Sequence, residues 1–165
     1  MSEHPTSIKT PTTFGLIVTS DTRTERENET GRIAVNLIEG EGHSVASHTL
    51  VPNNEERIRS EVERLLYDDS VAVIVTSGGT GIGAKDRTVK VVAPLLEKEM
   101  PGFGELFRRI SYDEVGGAAI MSRATAGVAR GKLIFCLPGS QNAMKVALMK
   151  IILPNVGHMQ WELSR

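Results

Sequence analysis

The run Thr76-Ser77-Gly78-Gly79-Thr80-Gly81 carries the strongest chemical signal in this chain, and it directly follows a short apolar, β-rich segment. Glycines let successive backbone N–H groups converge on one anion, and the hydroxyls of Ser77 and Thr80 can add donors. A plain tight turn between a strand and a helix has the same composition. No Gly-Lys-Ser/Thr ending follows, so the loop does not read as that of a P-loop NTPase. Slightly further on, Lys85-Asp86-Arg87-Thr88 sets a carboxylate between two cations. Asp86 can ligate magnesium beside substrate phosphates or simply pair with Arg87, and Thr88 is placed to cap a following helix.

Three further segments can meet a ligand. Met100-Pro101-Gly102-Phe103-Gly104-Glu105 has turn chemistry that lets backbone approach a small molecule, and Glu105 offers acceptors. Leu137-Pro138-Gly139-Ser140 ends an apolar run and precedes a helical pattern, where the N-terminal amides of a helix favour phosphate. The pair Ser122 and Arg123 either clamps phosphate or decorates the surface. Cys136, the one cysteine, sits in an apolar run and reads as a buried hydrophobe rather than a nucleophile. His4, His43, His48 and His158 lack metal-ligand spacing and read as surface or edge residues.

Such loops need a scaffold. The runs Phe14 to Ser20, Val71 to Thr76 and Lys132 to Leu137 are apolar on both alternating faces, as strands covered on both sides of a parallel sheet are. Val45 to Val51 is more amphipathic and suits an edge. Glu55 to Tyr67 predicts a helix, because Ile58, Val62, Leu65 and Leu66 form one stripe while Glu56, Arg59, Glu63 and Arg64 take other faces. Ile33 to Ile38, stopped by Gly40 and Gly42, predicts another, and Gly104 to Ser111 and Asn142 to Ile152 are two more. Strands alternating with helices imply an α/β fold: three layers, α/β/α, with a mainly parallel sheet and helices on both faces. Ligands in such sheets sit at the carboxyl ends of the strands, which directs attention to 21–31, 77–87 and 138–142.

A length of 165 residues fits one domain, here expected over 14–165 behind a flexible N-terminal leader, 1–13. Its 40% apolar and 24% charged residues, with a formal charge of -1, give no basis for a nucleic-acid surface. No stretch reaches the roughly 18 apolar residues of a membrane span, and a cytoplasmic protein is expected. The apolar run Met149 to Leu153 and Trp161 can serve either an interface or the core.

Taken together and in order, Ser20-Asp21-Thr22, the TSGGTG run, Asp86-Arg87-Thr88, the MPGFGE run, SRATAGV from Ser122 and LPGS from Leu137 resemble the MoaB/Mog family, whose eukaryotic members include the G domain of gephyrin. The resemblance spans roughly Phe14 to Val156. It implies an α/β fold assembled as homotrimers or pairs of trimers, and activation of molybdopterin with Mg-ATP. The terminal phosphate of molybdopterin attacks the α-phosphate of ATP, giving adenylylated molybdopterin and pyrophosphate. Positioning and charge neutralisation would carry most of such a transfer.

On this resemblance Asp86 matches one of two acids used in catalysis and holds the metal. The other falls within Leu50-Val51-Pro52-Asn53-Asn54, where catalytic relatives commonly carry aspartate and this chain has Asn53. Asp21 and Glu55 are the nearby acids that can substitute. Ser20, Thr76, Ser77, Gly78, Gly79, Thr80, Gly81, Pro101, Gly102, Gly104, Glu105, Ser122, Arg123, Pro138, Gly139 and Ser140 are the expected substrate-binding residues. The uncharged Asn53 leaves two functions open, an adenylyltransferase and a non-catalytic molybdopterin carrier. An unrelated nucleotide hydrolase on the same fold is a third, remoter option.

Overall fold

Side-chain alternation along the apolar runs decides which layer each residue joins. In the computed structural model, which describes residues 9–165, Phe14 and Leu16 of β1 (Thr13–Thr19) share one core with Val73 and Val75 of β3 (Val73–Ser77) and with Leu133 and Phe135 of β6 (Lys132–Leu137). The intervening Ile17, Ile74, Ile134 and Cys136 join a second core on the opposite face. Helices α1 (Glu29–Gly40) and α4 (Pro101–Val115) and the C-terminal helices cover the first face, while α2 (Glu55–Leu66) and α3 (Thr88–Val92) cover the second. The fold is therefore the expected α/β type with three layers.

The six strands run in the order β2-β1-β3-β6-β5-β4. β2 (Ser44–Val51), β1, β3 and β6 are parallel, and β2 takes the edge as its amphipathic pattern predicts. β5 (Thr125–Ala129) and β4 (Lys98–Glu99) extend the sheet in antiparallel pairings that sequence patterning did not reveal. Both are too short, and too poor in bulky apolar residues, to leave a period of two. His43 and His48, at and beside the β2 edge, are half-buried, and burial lowers the pKa of each. Most of the expected leader, and His4 with it, falls outside the described residues. Thr12 is already fixed, its N–H donating to His43 Nδ1 at 3.1 Å.

Two helices outrun their sequence patterns. α4 begins at Pro101 rather than Gly104, because proline at the first helical position has a suitable φ and no needed N–H. At the C-terminus, α5 (Gln141–Val146), a π-helical segment (Ala147–Ile152) and α6 (Leu153–Leu163) follow one another without a break. The sequence pattern ends at Ile152, short of Pro154 and Gly157, which both lie within α6. The missing N–H of Pro154 is accommodated by the π segment, and Asn155 Nδ2 donates to the Ile151 carbonyl at 2.8 Å. Ile151 and Ile152 are core residues, Met149 is exposed and Trp161 is half-buried. Among the described residues no helix is long and apolar enough to cross a membrane.

One buried cation ties the sheet to α2. Lys132 is 9% exposed, and its Nζ donates to the Leu65 carbonyl at 3.0 Å and to the Asp68 carbonyl, both at the end of that helix. Lys132→Met keeps the aliphatic stem but removes the ammonium donor, leaving the Leu65 and Asp68 carbonyls only their backbone partners, among them Asp68 N–H and Val71 N–H. We expect a loss of about 1–3 kcal/mol, seen as a Tm lower by about 2–10 °C for a chain of this size. An unchanged melt would show that water replaces the ammonium at no cost.

Candidate functional site

The predicted loops do gather at one end of the sheet, and hydrogen bonds link them in sequence. Ser20 N–H donates to the Val51 carbonyl at 2.9 Å, joining the ends of β1 and β2. Thr19 Oγ1 donates to the Ser77 carbonyl at 3.3 Å, joining β1 to β3. Gly78 N–H donates to the Leu137 carbonyl at 2.8 Å, and Ser77 Oγ to the Pro138 carbonyl at 3.3 Å, joining β3 to β6. Because β5 runs antiparallel to β6, its start lies at this same end, and Arg123 N–H donates to the Thr80 carbonyl at 2.8 Å. β4 reverses direction once more, so α4 also begins here, and Met100 N–H donates to the Ala126 carbonyl at 2.8 Å.

Within this end lies a cleft of about 300 Å³ lined by Thr19, Ser20, Asp21, Thr22, Arg23, Asn53, Lys85 and Gly139. Asp21 forms its acidic wall. Asp21 Oδ1 accepts from Asn53 N–H at 2.9 Å, so the turn after β1 grips the turn after β2. That backbone bond, with the Asn53 side chain and the nearby Lys85 and Arg87 charges, holds the exposed Asp21 carboxyl below its ordinary value. Asn53 Oδ1 is buried and has no hydrogen-bond partner among the described residues. A buried acceptor left unpaired is costly, so it marks a place where a ligand can complete the structure. Ser20 Oγ accepts from Thr22 N–H at 3.3 Å and Arg23 N–H at 3.1 Å, which shapes the SDT turn.

The glycine-rich turn is geometrically demanding. Gly78 and Gly79 have φ values of +101° and +72°, the left-handed region that glycine tolerates. Thr88 packs against Gly79, donating its N–H to the Gly79 carbonyl at 3.1 Å. Thr88 does not cap α3, contrary to the sequence-based expectation. It is the first helical residue after Arg87, and its buried Oγ1 has no partner. Thr76, Ser77 and Thr80 are buried too, so their side chains build the turn from within.

Several expected ligand contacts take other partners. Asp86 does not pair with Arg87, for its Oδ2 accepts from Gly83 N–H at 2.9 Å and turns the carboxylate into its own loop. Arg87 instead lies 3.7 Å from Glu55 Oε1, which also accepts from Lys90 Nζ at 2.7 Å. Lys90, and then Arg87, draw the Glu55 pKa down, so Glu55 joins the start of α2 to α3 rather than standing in for an acid at position 53. Arg123 holds the loop from behind, with Nε donating to the Gly81 carbonyl at 2.9 Å and Nη2 to that of Asp86 at 3.2 Å. Ser140 Oγ caps α5 by accepting from Ala143 N–H at 3.0 Å, and Gly139 stands next to Gly78.

The PGFGE segment is the first turn of α4 and not a loop. Gly104 is buried there because a Cβ would stand 2.6 Å from the Ala124 carbonyl oxygen, so its role is close packing. Pro101, Gly102 and Glu105 are exposed at that helix start, toward the β4 edge and four strands from β2 and β1's shared end. Ser122 Oγ accepts from Ala124 N–H at 3.3 Å. Cys136 is fully buried and its thiol is pushed up to about 11 by burial, which fits a core residue.

The family model described as "Probable molybdopterin binding domain" matches residues 15–158, nearly the whole of this arrangement. The chain belongs to that family. It is 39% identical to "Molybdenum cofactor biosynthesis protein B" of Bacillus cereus over 166 residues, covering 100% of this chain and 98% of that protein. The protein of the same name from Staphylococcus aureus is 41% identical over 169 residues, with 100% of both chains covered. Among solved structures, the tungsten cofactor synthesizing protein MoaB from Pyrococcus furiosus superposes with a TM-score of 0.86 at 35% identity, over 94% of this chain and 98% of that one. In this molybdopterin-binding-domain member, the cleft residues not assigned a role from sequence are Lys85, Arg23, Thr19 and Thr22, the last within the Ser20-Asp21-Thr22 motif. Only their place around the cleft reveals them, although Lys85 stands in a motif already singled out for Asp86.

Proposed function

We propose that this protein acts in molybdenum cofactor biosynthesis as a molybdopterin adenylyltransferase, using ATP and magnesium in the cytoplasm. The observation that carries this reading is the exposed Asp21 carboxylate, fixed by the Asn53 N–H on the wall of a cleft at the ends of four parallel strands. In the reaction, a terminal phosphate oxygen of molybdopterin forms a bond to the α-phosphorus of ATP. The bond from that phosphorus to the α–β bridging oxygen breaks, and its electron pair leaves with pyrophosphate. Backbone amides of the Gly79 to Gly81 turn and of Gly139 would orient the two anions.

The donor set fits magnesium as an ion that arrives with substrate. Among the described residues no cluster of three or more histidine, cysteine, aspartate or glutamate side chains is placed to hold a metal. Magnesium commonly keeps water and phosphate ligands and takes one or two groups from protein. Asp21 supplies a charged oxygen on the cleft wall, which moves the favoured metal position from Asp86 to Asp21. When bound, the ion would neutralise charge gathering on the departing pyrophosphate. Asp86 then serves by shaping the loop through Gly83.

The carrier reading is favoured by one observation, the neutral amide at position 53. Purified protein given molybdopterin, ATP and magnesium should release pyrophosphate, and Asn53→Asp should change that rate by less than about tenfold, because Asp21 already supplies the carboxylate. A wild type without product, gaining about 10²- to 10³-fold in Asn53→Asp, would establish the carrier instead. The homotrimer or homohexamer implied by the family belongs to the same proposal, and light scattering of the purified protein would test it.

A further inference from the structure

His48 stands on the α1 side of β2, where its register partner in β1 is Leu16. Its ring packs so closely on the first turn of α1 that a Cβ on Gly31 would collide with Nε2. Beside the ring lies Asn28, 1% exposed, and both atoms of its amide are engaged. Asn28 Oδ1 accepts from Gly31 N–H at 3.1 Å and so caps α1. Asn28 Nδ2 lies 2.7 Å from His48 Nε2. A backbone N–H can only donate, so the cap fixes which way round the amide sits, and Nδ2 has only hydrogens to offer the ring. Nε2 therefore accepts, which makes His48 the neutral Nδ1–H tautomer. A proton on Nε2 would set donor against donor, and turning the amide over would do the same at Gly31.

We propose that His48 is a proton-operated latch behind the cleft: neutral, it holds Asn28 and the N-terminus of α1 against β2, and on taking up a proton it releases both. Burial is the chief cause that keeps the ring neutral below the ordinary histidine range, Glu25 of the 3-10 turn before α1 opposes it, and Arg32 of α1 adds to it. β2 and β1 present the uncharged Ala46, Leu50 and Leu16 on that face. A cation at the amino end of a helix is also unfavourable. The release reaches the cleft because the chain between is tied to the same helix start. Arg23, on the cleft wall, donates from Nη1 to Thr30 Oγ1 at 3.2 Å, and Arg32 Nη2 donates to the Arg26 carbonyl at 2.6 Å. For a base whose pKa is lowered by folding, stability is full above the unfolded value of about 6.5 and is lost as pH falls through it toward the folded value. The latch operates whatever reaction the cleft runs.

Ring-nitrogen NMR and amide exchange of the full chain, from about pH 8 to 5, read the latch directly. At the alkaline end His48 should be the Nδ1–H tautomer. As the ring protonates, the protection of Gly31 N–H relative to an unstructured chain should fall about three- to tenfold, the size of a lost helix cap. The Arg23 side-chain N–H signals should move with the same midpoint. His43, whose Nδ1 accepts from Thr12 N–H at 3.1 Å, also has a pKa lowered by burial, so the local Gly31 signal is the readout rather than a global melt. His48→Gln keeps an acceptor for Asn28 without a titrating group, and its Gly31 protection should stay level across the range. Asn28→Asp should reverse the sign, because its carboxylate both caps α1 and accepts from a protonated ring. The His48 midpoint should then rise above that of wild type, and the cap should hold as pH falls. A ring already protonated on Nε2 at the alkaline end, level Gly31 protection in wild type, or an equal loss in His48→Gln would overturn the latch. So would a His48 midpoint that fails to rise in Asn28→Asp, and Arg23 signals that do not follow the ring would overturn its reach to the cleft.

Discussion

Asp21→Asn should lower pyrophosphate release from molybdopterin and ATP by about 10²- to 10³-fold, the size of effect that follows loss of one preorganised charge at a reacting phosphate. The substitution keeps an oxygen able to accept the Asn53 N–H, and the residue is exposed, so the fold should scarcely notice. We expect a Tm within about 2 °C of wild type, as is usual for surface changes. Activity should fall through weaker binding of magnesium, with a higher metal concentration needed for half-maximal rate. Retention of activity within about threefold would remove Asp21 from the reaction.

The pH dependence follows from the same contacts. The Asn53 backbone N–H, with the Asn53 side chain and the Lys85 and Arg87 charges, depresses the folded-state pKa of Asp21 below the ordinary aspartate value. For a depressed acid, the stabilising contribution is present above the unfolded value and is lost as pH falls through the folded one. Asp21 thus stays ionised throughout the neutral and mildly acidic range, and a kcat profile from about pH 5 to 8 should show no acidic limb due to it. An acidic limb in that range that vanishes in Asp21→Asn would contradict a preformed carboxylate.

Gly79→Ala should have the other large effect, on folding and activity together. Its φ of +72° is strained for any residue with a Cβ, and the added methyl would meet Thr88 Oγ1, with Thr88 N and Cβ at 3.0 Å. Thr88 is fully buried and opens α3, so it has little room to retreat. Left-handed strain of about 1–2 kcal/mol and overpacking of about 1–3 kcal/mol together predict a Tm lowered by roughly 4–20 °C. Nucleotide and pterin binding should weaken with it, because the turn that presents the amides is displaced. Gly102→Ala is the control. A Cβ there meets nothing within 4 Å and the position is in the first turn of α4, so the melt should hold or rise slightly. If the two alanine variants melt alike, the turn is not under the constraint described.

The amino-acid sequence by itself determined the α/β class, the two-sided burial of β1, β3 and β6, the edge position of β2 and the α2 stripe, because each rests on a local period that neighbouring residues enforce. It also marked which loops matter, since glycine at positive φ and the strand-to-helix order leave a signature in composition alone. The tertiary structure decided what those residues touch. Sequence offered Asp86 and Arg123 as groups facing a ligand, but contacts with Gly83, Gly81 and Thr80 that no spacing encodes turn them toward the loop itself. It gave no reason to separate Lys85 from Arg87 and Lys90, which differ only in whether Glu55, brought in from the start of α2, stands opposite. β4, β5 and α6 were likewise beyond it, since two-residue pairing, small side chains and a proline inside a helix are stabilised by neighbours far along the chain.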